Sequence, residues 1–144
     1  MGVKDAIASI ERGDYEKAYR HIKPLAEQGD ANAQCILAAM YFNGQGFPQD
    51  YTEAAKWFRR AAEQGHAEAQ HNLGLLYKVG RGVPQDYLLA HMWFNLAASQ
   101  LNIPTEAREV VVKERDTVAT KMIPEQIAEA NQLAWEWRPK KEVR

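Results

Sequence analysis

Residues 31–66 read ANAQCILAAMYFNGQGFPQDYTEAAKWFRRAAEQGH, and residues 67–102 read AEAQHNLGLLYKVGRGVPQDYLLAHMWFNLAASQLN. With one set above the other, a shift of 36 residues without a gap makes about half of the positions identical. The identities are Ala31/Ala67, Ala33/Ala69, Gln34/Gln70, Leu37/Leu73, Tyr41/Tyr77, Gly44/Gly80, Gly46/Gly82, the run from Pro48/Pro84 to Tyr51/Tyr87, Ala54/Ala90, Trp57/Trp93, Phe58/Phe94, Ala61/Ala97, Ala62/Ala98 and Gln64/Gln100. A fainter copy precedes them, with Asp14-Tyr15 and Ala18 matching Asp50-Tyr51 and Ala54, and Ala26-Glu27-Gln28-Gly29 matching Ala62-Glu63-Gln64-Gly65. A fixed period of this length marks a stacked-repeat architecture.

Each unit reads as two helices. Ala33, Leu37 and Tyr41 fall at i, i+4, i+8, and Ala54, Trp57, Phe58, Ala61 and Ala62 at i, i+3, i+4, i+7, i+8, so both segments carry one apolar face. Between them Gly44-Gln45-Gly46-Phe47-Pro48-Gln49 ends the first helix and turns the chain. Asp50 is expected as an N-cap, with Glu53 spaced for a capping box, and Gly65 as a left-handed C-terminal residue. The alanines, and Gly74 in place of Ala38, permit close helix approach while Leu37, Tyr41 and Trp57 fill the remaining volume. A single hairpin cannot bury both its faces, so the hairpins must stack. The fold class expected is all-α, a right-handed α-α superhelix of stacked hairpins with Leu37, Tyr41, Trp57, Phe58, Leu73, Tyr77, Trp93 and Phe94 buried.

After Gln100 the period breaks. One helix is expected from Pro104 to about Lys121, with Ala107, Val111, Val118 and Met122 on one stripe, and another from Pro124 to about Arg138 with Ile127, Ala130, Ala134 and Trp137 inward. The count is eight helices in four hairpins. The expected division is one repeat domain, 1–138, made of an N-terminal capping hairpin (1–30), two repeats (31–66 and 67–102) and C-terminal capping helices (103–138). Residues 139–144, with Lys140, Lys141 and Arg144 after Arg138, are expected as a solvated polar tail. Trp135 lies off the stripe of Trp137, and its sequence position leaves core and surface equally open.

The unit A-x-A-Q-x-x-L-[AG]-x-x-Y-x-x-G-x-G-x-P-Q-D-Y-x-x-A-x-x-W-F-x-x-A-A resembles the Sel-one-like repeat (SLR) family, a branch of the tetratricopeptide-like α-solenoids. Two full units cover 31–102, and Lys121-Met-Ile-Pro-Glu-Gln-Ile-Ala-Glu-Ala with Trp135 and Trp137 is similar to a C-terminal extension of short bacterial members. The Gly13-Asp14-Tyr15 turn departs from the family's Gly-x-Gly loop. The resemblance implies a protein-interaction scaffold or adaptor, and no single reaction.

The residues themselves offer little chemistry. Eighteen basic and nineteen acidic side chains give a net charge of −1, which supplies no general attraction to nucleic acid. The single cysteine, Cys35, excludes an intrachain disulfide and a multi-cysteine zinc site, and reads as a small hydrophobe. His21, His66, His71 and His91 fall at different repeat phases, so no metal and no cofactor are expected. No nucleophile motif or Walker loop occurs, and Gly44-x-Gly46 and Gly80-x-Gly82 follow helices, so they are turns. The chain is expected not to be an enzyme; a small hydrolase or a single-stranded nucleic-acid binder on this scaffold are the lesser alternatives. Trp57 and Trp93 are expected in the core. No apolar run reaches the roughly 18 residues of a membrane span. The compartment is open, cytoplasmic as the sequence stands or periplasmic or secreted if a signal peptide precedes it.

In a tetratricopeptide-like stack the first helix of each pair lines the concave side, so residues that differ between copies there are the recognition candidates. These are Asn32, Cys35, Ala39, Phe42 and Asn43 in one unit and Glu68, His71, Leu75, Lys78 and Val79 in the next. They mix apolar area with donors, which suits an extended or helical peptide of a protein partner. Self-association through Phe42 or Trp135 is a further possibility of the surface. If the phase is right, Trp57→Ala lowers stability by about 3 to 5 kcal/mol. Thermal melts check this, and an unchanged midpoint would mean that the apolar stripe is misplaced.

Overall fold

The computed structural model describes residues 2–100 and 102–142, and among these every regular element is an α-helix. They are α1 (Val3–Glu11), α2 (Tyr15–Glu27), α3 (Ala31–Asn43), α4 (Tyr51–Glu63), α5 (Ala67–Val79), α6 (Tyr87–Ser99), α7 (Thr105–Ala119) and α8 (Pro124–Glu136). Successive helices pack against one another from α1 to α7, so the hairpins α1–α2, α3–α4 and α5–α6 stack in order. The chain is a solenoid of helical hairpins.

The repeated acids start the second helices. Asp14, Asp50 and Asp86 each accept a hydrogen bond from the backbone N–H three residues on, at 3.2, 3.0 and 3.0 Å. The capping box expected at Asp50 is only half formed: the Asp50 N–H donates to the Tyr41 carbonyl at 2.9 Å, leaving nothing for Glu53, which pairs with Lys56 at 3.2 Å. Asp86 repeats the same bond to Tyr77. That bond folds the intervening loop back on the first helix, so the turn is closed from both ends. Gly82 fits there because a Cβ would lie 2.1 Å from the Tyr51 carbonyl oxygen of the preceding hairpin.

Seven of the eight expected core residues are buried, with Leu37, Leu73 and Phe94 fully enclosed. Tyr41 is only half-buried. Its ring stacks at 4.4 Å on Phe47, which meets Tyr19 edge-on at 5.4 Å, so three rings form an aromatic column, whereas over the Tyr77 ring lies the Arg59 guanidinium at 5.7 Å. Burial, then a hydrogen bond with Tyr19, push the Tyr41 hydroxyl up to about 12.

The buried polar residues were not anticipated. Gln34 and Gln70 are fully enclosed. The Gln34 amide donates to the Ala26 carbonyl at the end of α2 (3.0 Å), and its oxygen accepts from Gln64 at the end of α4 (2.9 Å). Gln70 does the same with Ala62 (3.1 Å) and Gln100 (3.2 Å). One amide therefore joins three helices.

The C-terminal pair differs from the expected fourth hairpin. Both α7 and α8 pack on α6 and barely touch each other. Asn95 of α6 bridges them, accepting from Arg115 at 3.0 Å and donating to Asn131 at 3.3 Å. Ala107 is exposed, whereas Val111, Val118 and Ala130 are buried. Pro139, Lys140 and Lys141 are exposed as a solvated tail would be, but the segment is docked on the repeats: the Lys140 N–H donates to the Glu63 carbonyl at 2.7 Å and Glu142 pairs with Arg60. Residues 143 and 144 lie outside the described residues. Trp135 is 79% exposed, which decides for the surface.

Close approach of α5 and α6 is testable. A Cβ on Gly74 would stand 2.6 Å from the Phe94 ring, so Gly74→Ala is expected to cost about 1 to 3 kcal/mol. Urea denaturation measures it; an unmoved midpoint would put the two helices further apart.

Candidate functional site

The faces of α3 and α5 that differ between the two copies border two depressions. The first, about 450 Å³, is lined by Ala39, Phe42 and Asn43 of α3, Phe58 of α4, Asn72, Leu75, Leu76, Lys78 and Val79 of α5, and Arg81 of the following loop. The second, about 570 Å³, lies toward α1, with Ile7, Ile10 and Glu11 facing Asn32, Cys35, Ile36, His66 and Glu68. Ala39 and Asn43 border both, so the two form one groove across α1, α3 and α5.

Its floor is apolar and its ends differ in charge. Phe42 leans on Tyr51 at 5.1 Å, and the Arg81 guanidinium lies over the same Tyr51 ring at 5.2 Å, which fixes both at one end. Lys78 is tied to Glu114 of α7 at 2.8 Å. At the other end Glu11 and Glu68 are exposed carboxylates. With Lys78 paired to Glu114, Arg81 is, among the described residues, the uncompensated cation at one end, while Glu11 and Glu68 make the end near α1 acidic.

Nine of the ten residues singled out from the sequence line this groove, and His71 does not. Cys35 and His71 share one repeat phase, and in a stack that phase faces the next first helix rather than open solvent. Cys35 is buried beside Glu68 of α5, and His71 meets Glu114 of α7 while its ring sits edge-on to Phe94 at 5.9 Å. Burial, with Glu68 adding to it, pushes the Cys35 thiol up to about 12, so the sulfur is protonated and no nucleophile at neutral pH. Burial likewise holds His71 below the usual histidine range, and its Nε2 has no hydrogen-bond partner among the described residues.

Asn72, Phe58, Leu76 and Arg81 were missed. Phe58 and Leu76 serve the core and the groove with opposite edges, a double use that periodicity cannot separate. Arg81 stands where the other copy has Gln45, a difference visible in the alignment but located in a loop.

His66 has a role the sequence did not suggest. It stands where Asp30 caps α3 and performs the same task for α5: Nδ1 accepts from the Ala69 N–H at 3.2 Å, and Nε2 lies 2.8 Å from the Asn32 oxygen. Both bonds require the neutral Nε2–H tautomer. Burial lowers its pKa, against the opposing pull of Glu68 and then Asp30. Among the described residues no group of three or more His, Cys, Asp or Glu could hold a metal ion, and no helix is long and apolar enough to cross a membrane.

Comparison with known proteins agrees with the fold. The Sel1 repeat profile matches residues 7–30, 31–66 and 67–100. No curated protein matches the chain. Among solved structures it is similar to a protective antigen present in uropathogenic Escherichia coli strains and displaying an SLR fold, at 25% identity and a TM-score of 0.82 over 96% of this chain. It is also similar in fold to a Sel1 repeat protein from Oxalobacter formigenes, at 24% identity and a TM-score of 0.74 over 93% of this chain. The matches span 32% and 58% of those two chains.

The histidine cap carries a pH dependence. A folded-state pKa below the unfolded value of about 6.5 means the stabilisation is complete above that value and is lost as the pH falls through the folded one. His71 and His91, also lowered by burial, act in the same direction. The melting temperature is therefore expected to drop between pH 7.5 and 5. His66→Asp, which copies the cap at position 30 and whose lost cap is worth about 1 kcal/mol, should flatten the drop. An identical slope in that variant would show that the cap does not titrate.

Proposed function

Because the chain belongs to the Sel1 repeat family, whose tetratricopeptide-like hairpin stacks are protein-interaction scaffolds, we propose that it binds a peptide segment of a partner protein in the groove across α1, α3 and α5. The observation that carries this reading is the combination of a continuous apolar floor with ends of opposite charge. Phe42, Leu75 and Val79 offer apolar contact, and the amide side chains of Asn43 and Asn72 are placed to bond a peptide main chain. Arg81, beside the Lys78–Glu114 pair, favours an acidic residue at its end of the groove, and Glu11 and Glu68 a basic one near α1. The ligand fitted best is thus a short segment with a central large apolar side chain, basic toward one end and acidic toward the other.

Catalysis has no support of comparable weight. Cys35 is protonated, His66 is spent as a helix cap, and His71 faces Phe94. The carboxylates inside the groove count against a phosphate backbone as its ligand. We read the chain as a non-enzymatic adaptor, with binding energy concentrated in a few anchors and affinity on the order of micromolar because a flexible peptide loses entropy on docking.

Selection of random peptides on the immobilised full chain, followed by fluorescence anisotropy, tests this. Enriched peptides are expected to share the apolar anchor and the charge order, and Phe42→Ala with Leu75→Ala should weaken them at least about tenfold, that is about 1.4 kcal/mol, with an unchanged helical circular dichroism spectrum. Lys78→Glu should select against the acidic end. Peptides that bind the double variant as well as the wild type would move the site away from the groove.

A further inference from the structure

The seat of the C-terminal segment lies on another side of the molecule from the groove. Beyond α8 the chain turns extended at Trp137 (φ −63°, ψ 141°) and runs back along the stack against the order of the repeats. Trp137 meets Trp93 edge-on at 6.4 Å and covers Gly65, where a Cβ would be 3.7 Å from its ring; Pro139 covers the same glycine. Next the Lys140 N–H donates to the Glu63 carbonyl. Last, the Glu142 carboxylate accepts from Arg60 through Nε at 3.1 Å and Nη2 at 2.6 Å, and from the Gln34 amide at 3.0 Å. Six residues thereby cross one whole repeat, from Gly65 to Gly29.

The seat does not depend on the tail for its shape. Arg60 is held by stacking on the Trp57 ring at 4.5 Å, and Gln34 is fixed by its bonds to Ala26 and Gln64. Gly29 and Gly65 have φ of +102° and +94°, which the turns between hairpins require, and at Gly29 a Cβ would stand 3.1 Å from the Glu142 side chain. Four fixed features therefore specify a ligand: an aromatic side chain, a small or proline residue two positions on, a backbone N–H after it, and a carboxylate five positions from the aromatic. A bidentate guanidinium contact with an amide donor on the same carboxylate is a recognition geometry, and it is built from repeat residues. By contrast the tail is weakly held. Arg138, Pro139, Lys140 and Lys141 are exposed, one backbone hydrogen bond joins the segment to the seat, and the ion pair is partly open to solvent.

We propose that the edge formed by Gly29, Gln34, Arg60, Glu63 and Gly65 is a second protein-docking site, for an extended peptide with a carboxylate five positions after an aromatic residue, and that Trp137–Glu142 is a built-in competitor occupying it. The tail acts in cis, at an effective concentration in the millimolar range for a short connection, so a partner peptide of the same chemistry must outcompete it. Glu27, Glu63 and Lys140 are the other charged groups around the pair. When the tail leaves, Arg60 keeps its stacking on Trp57 and Glu27 is the carboxylate nearest in charge. This site shares no residue with the groove, so its failure would leave the groove reading untouched.

The test uses a fluorescein-labelled peptide of residues 134–142 titrated into the full-length chain and its variants, with circular dichroism as the check on folding. Glu142→Ala, which weakens the cis contact, is expected to bind the peptide at least about tenfold more tightly than the wild type, and to be cut faster by trypsin after Lys140. Adding Arg60→Ala should abolish the gain. A peptide whose last glutamate is replaced by alanine should not bind Glu142→Ala, a control that holds whatever happens to the fold of the Arg60 variant. Equal binding to wild type and Glu142→Ala, or equal binding of the two peptides, would overturn the proposal. So would a wild-type dimer in sedimentation that is lost in Arg60→Ala, since it would assign the seat to the tail of a second copy.

Discussion

Everything in this stack hangs on a primary amide buried between hairpins. Gln34 and Gln70 have no exposed surface, and an enclosed amide without partners costs about 1 to 3 kcal/mol for each unsatisfied group. Gln34 is satisfied by the end of α2 and Glu142 at its nitrogen and by the end of α4 at its oxygen. Sliding one hairpin along the next by a single residue breaks the bond to Ala26 while losing little apolar contact among alanines; the bond to Gln64 lies within the α3–α4 hairpin. The amide therefore sets the register, and the alanine stripes supply closeness without dictating it. Groove and edge inherit their geometry from that register: the groove needs α3 and α5 side by side, and the edge needs Gly29 and Gly65 one repeat apart.

A conserved interior with a changing exterior explains why two near-identical units do different work. Positions 39/75, 42/78 and 43/79 alter the groove from Ala, Phe and Asn to Leu, Lys and Val. On the opposite side, Lys56 and Arg60 of α4 correspond to Met92 and Leu96 of α6. Met92 and Leu96 are buried, since α8 lies on α6, whereas Lys56 is exposed and Arg60 remains free to take the tail. The switch from cation to aliphatic residue at the same phase thus records which hairpin has a helix over its outer face.

The residue pattern made the helices, their turns and most of the core legible, because those depend on spacing within one unit. What escaped was set by neighbours. Cys35 and His71 differ between the copies as groove residues do, yet they face the next first helix, which shields a residue whatever its chemistry. The packing of α7 and α8 on α6 could have been suspected from Met92 and Leu96, residues too apolar for an open face. Composition misleads for the tail: Arg138, Lys140 and Lys141 dominate its charge, while the residue that anchors it is the lone Glu142. The glutamines were visible as identities, and a polar identity within an apolar stripe is the sequence mark of a buried, bonded amide.

The groove and the edge are connected through the same hairpin. The tail bonds Gln34 of α3 with Arg60 and Glu63 of α4 and reaches the turn at Gly29, so it lies along the outside of the α3–α4 hairpin. A peptide in the groove would join α1, α3 and α5 from the inside. Both faces therefore rest on the α3–α4 hairpin: α3 presents Ala39, Phe42 and Asn43 to the groove and Gln34 to the edge, so the register set by Gln34 positions the two together.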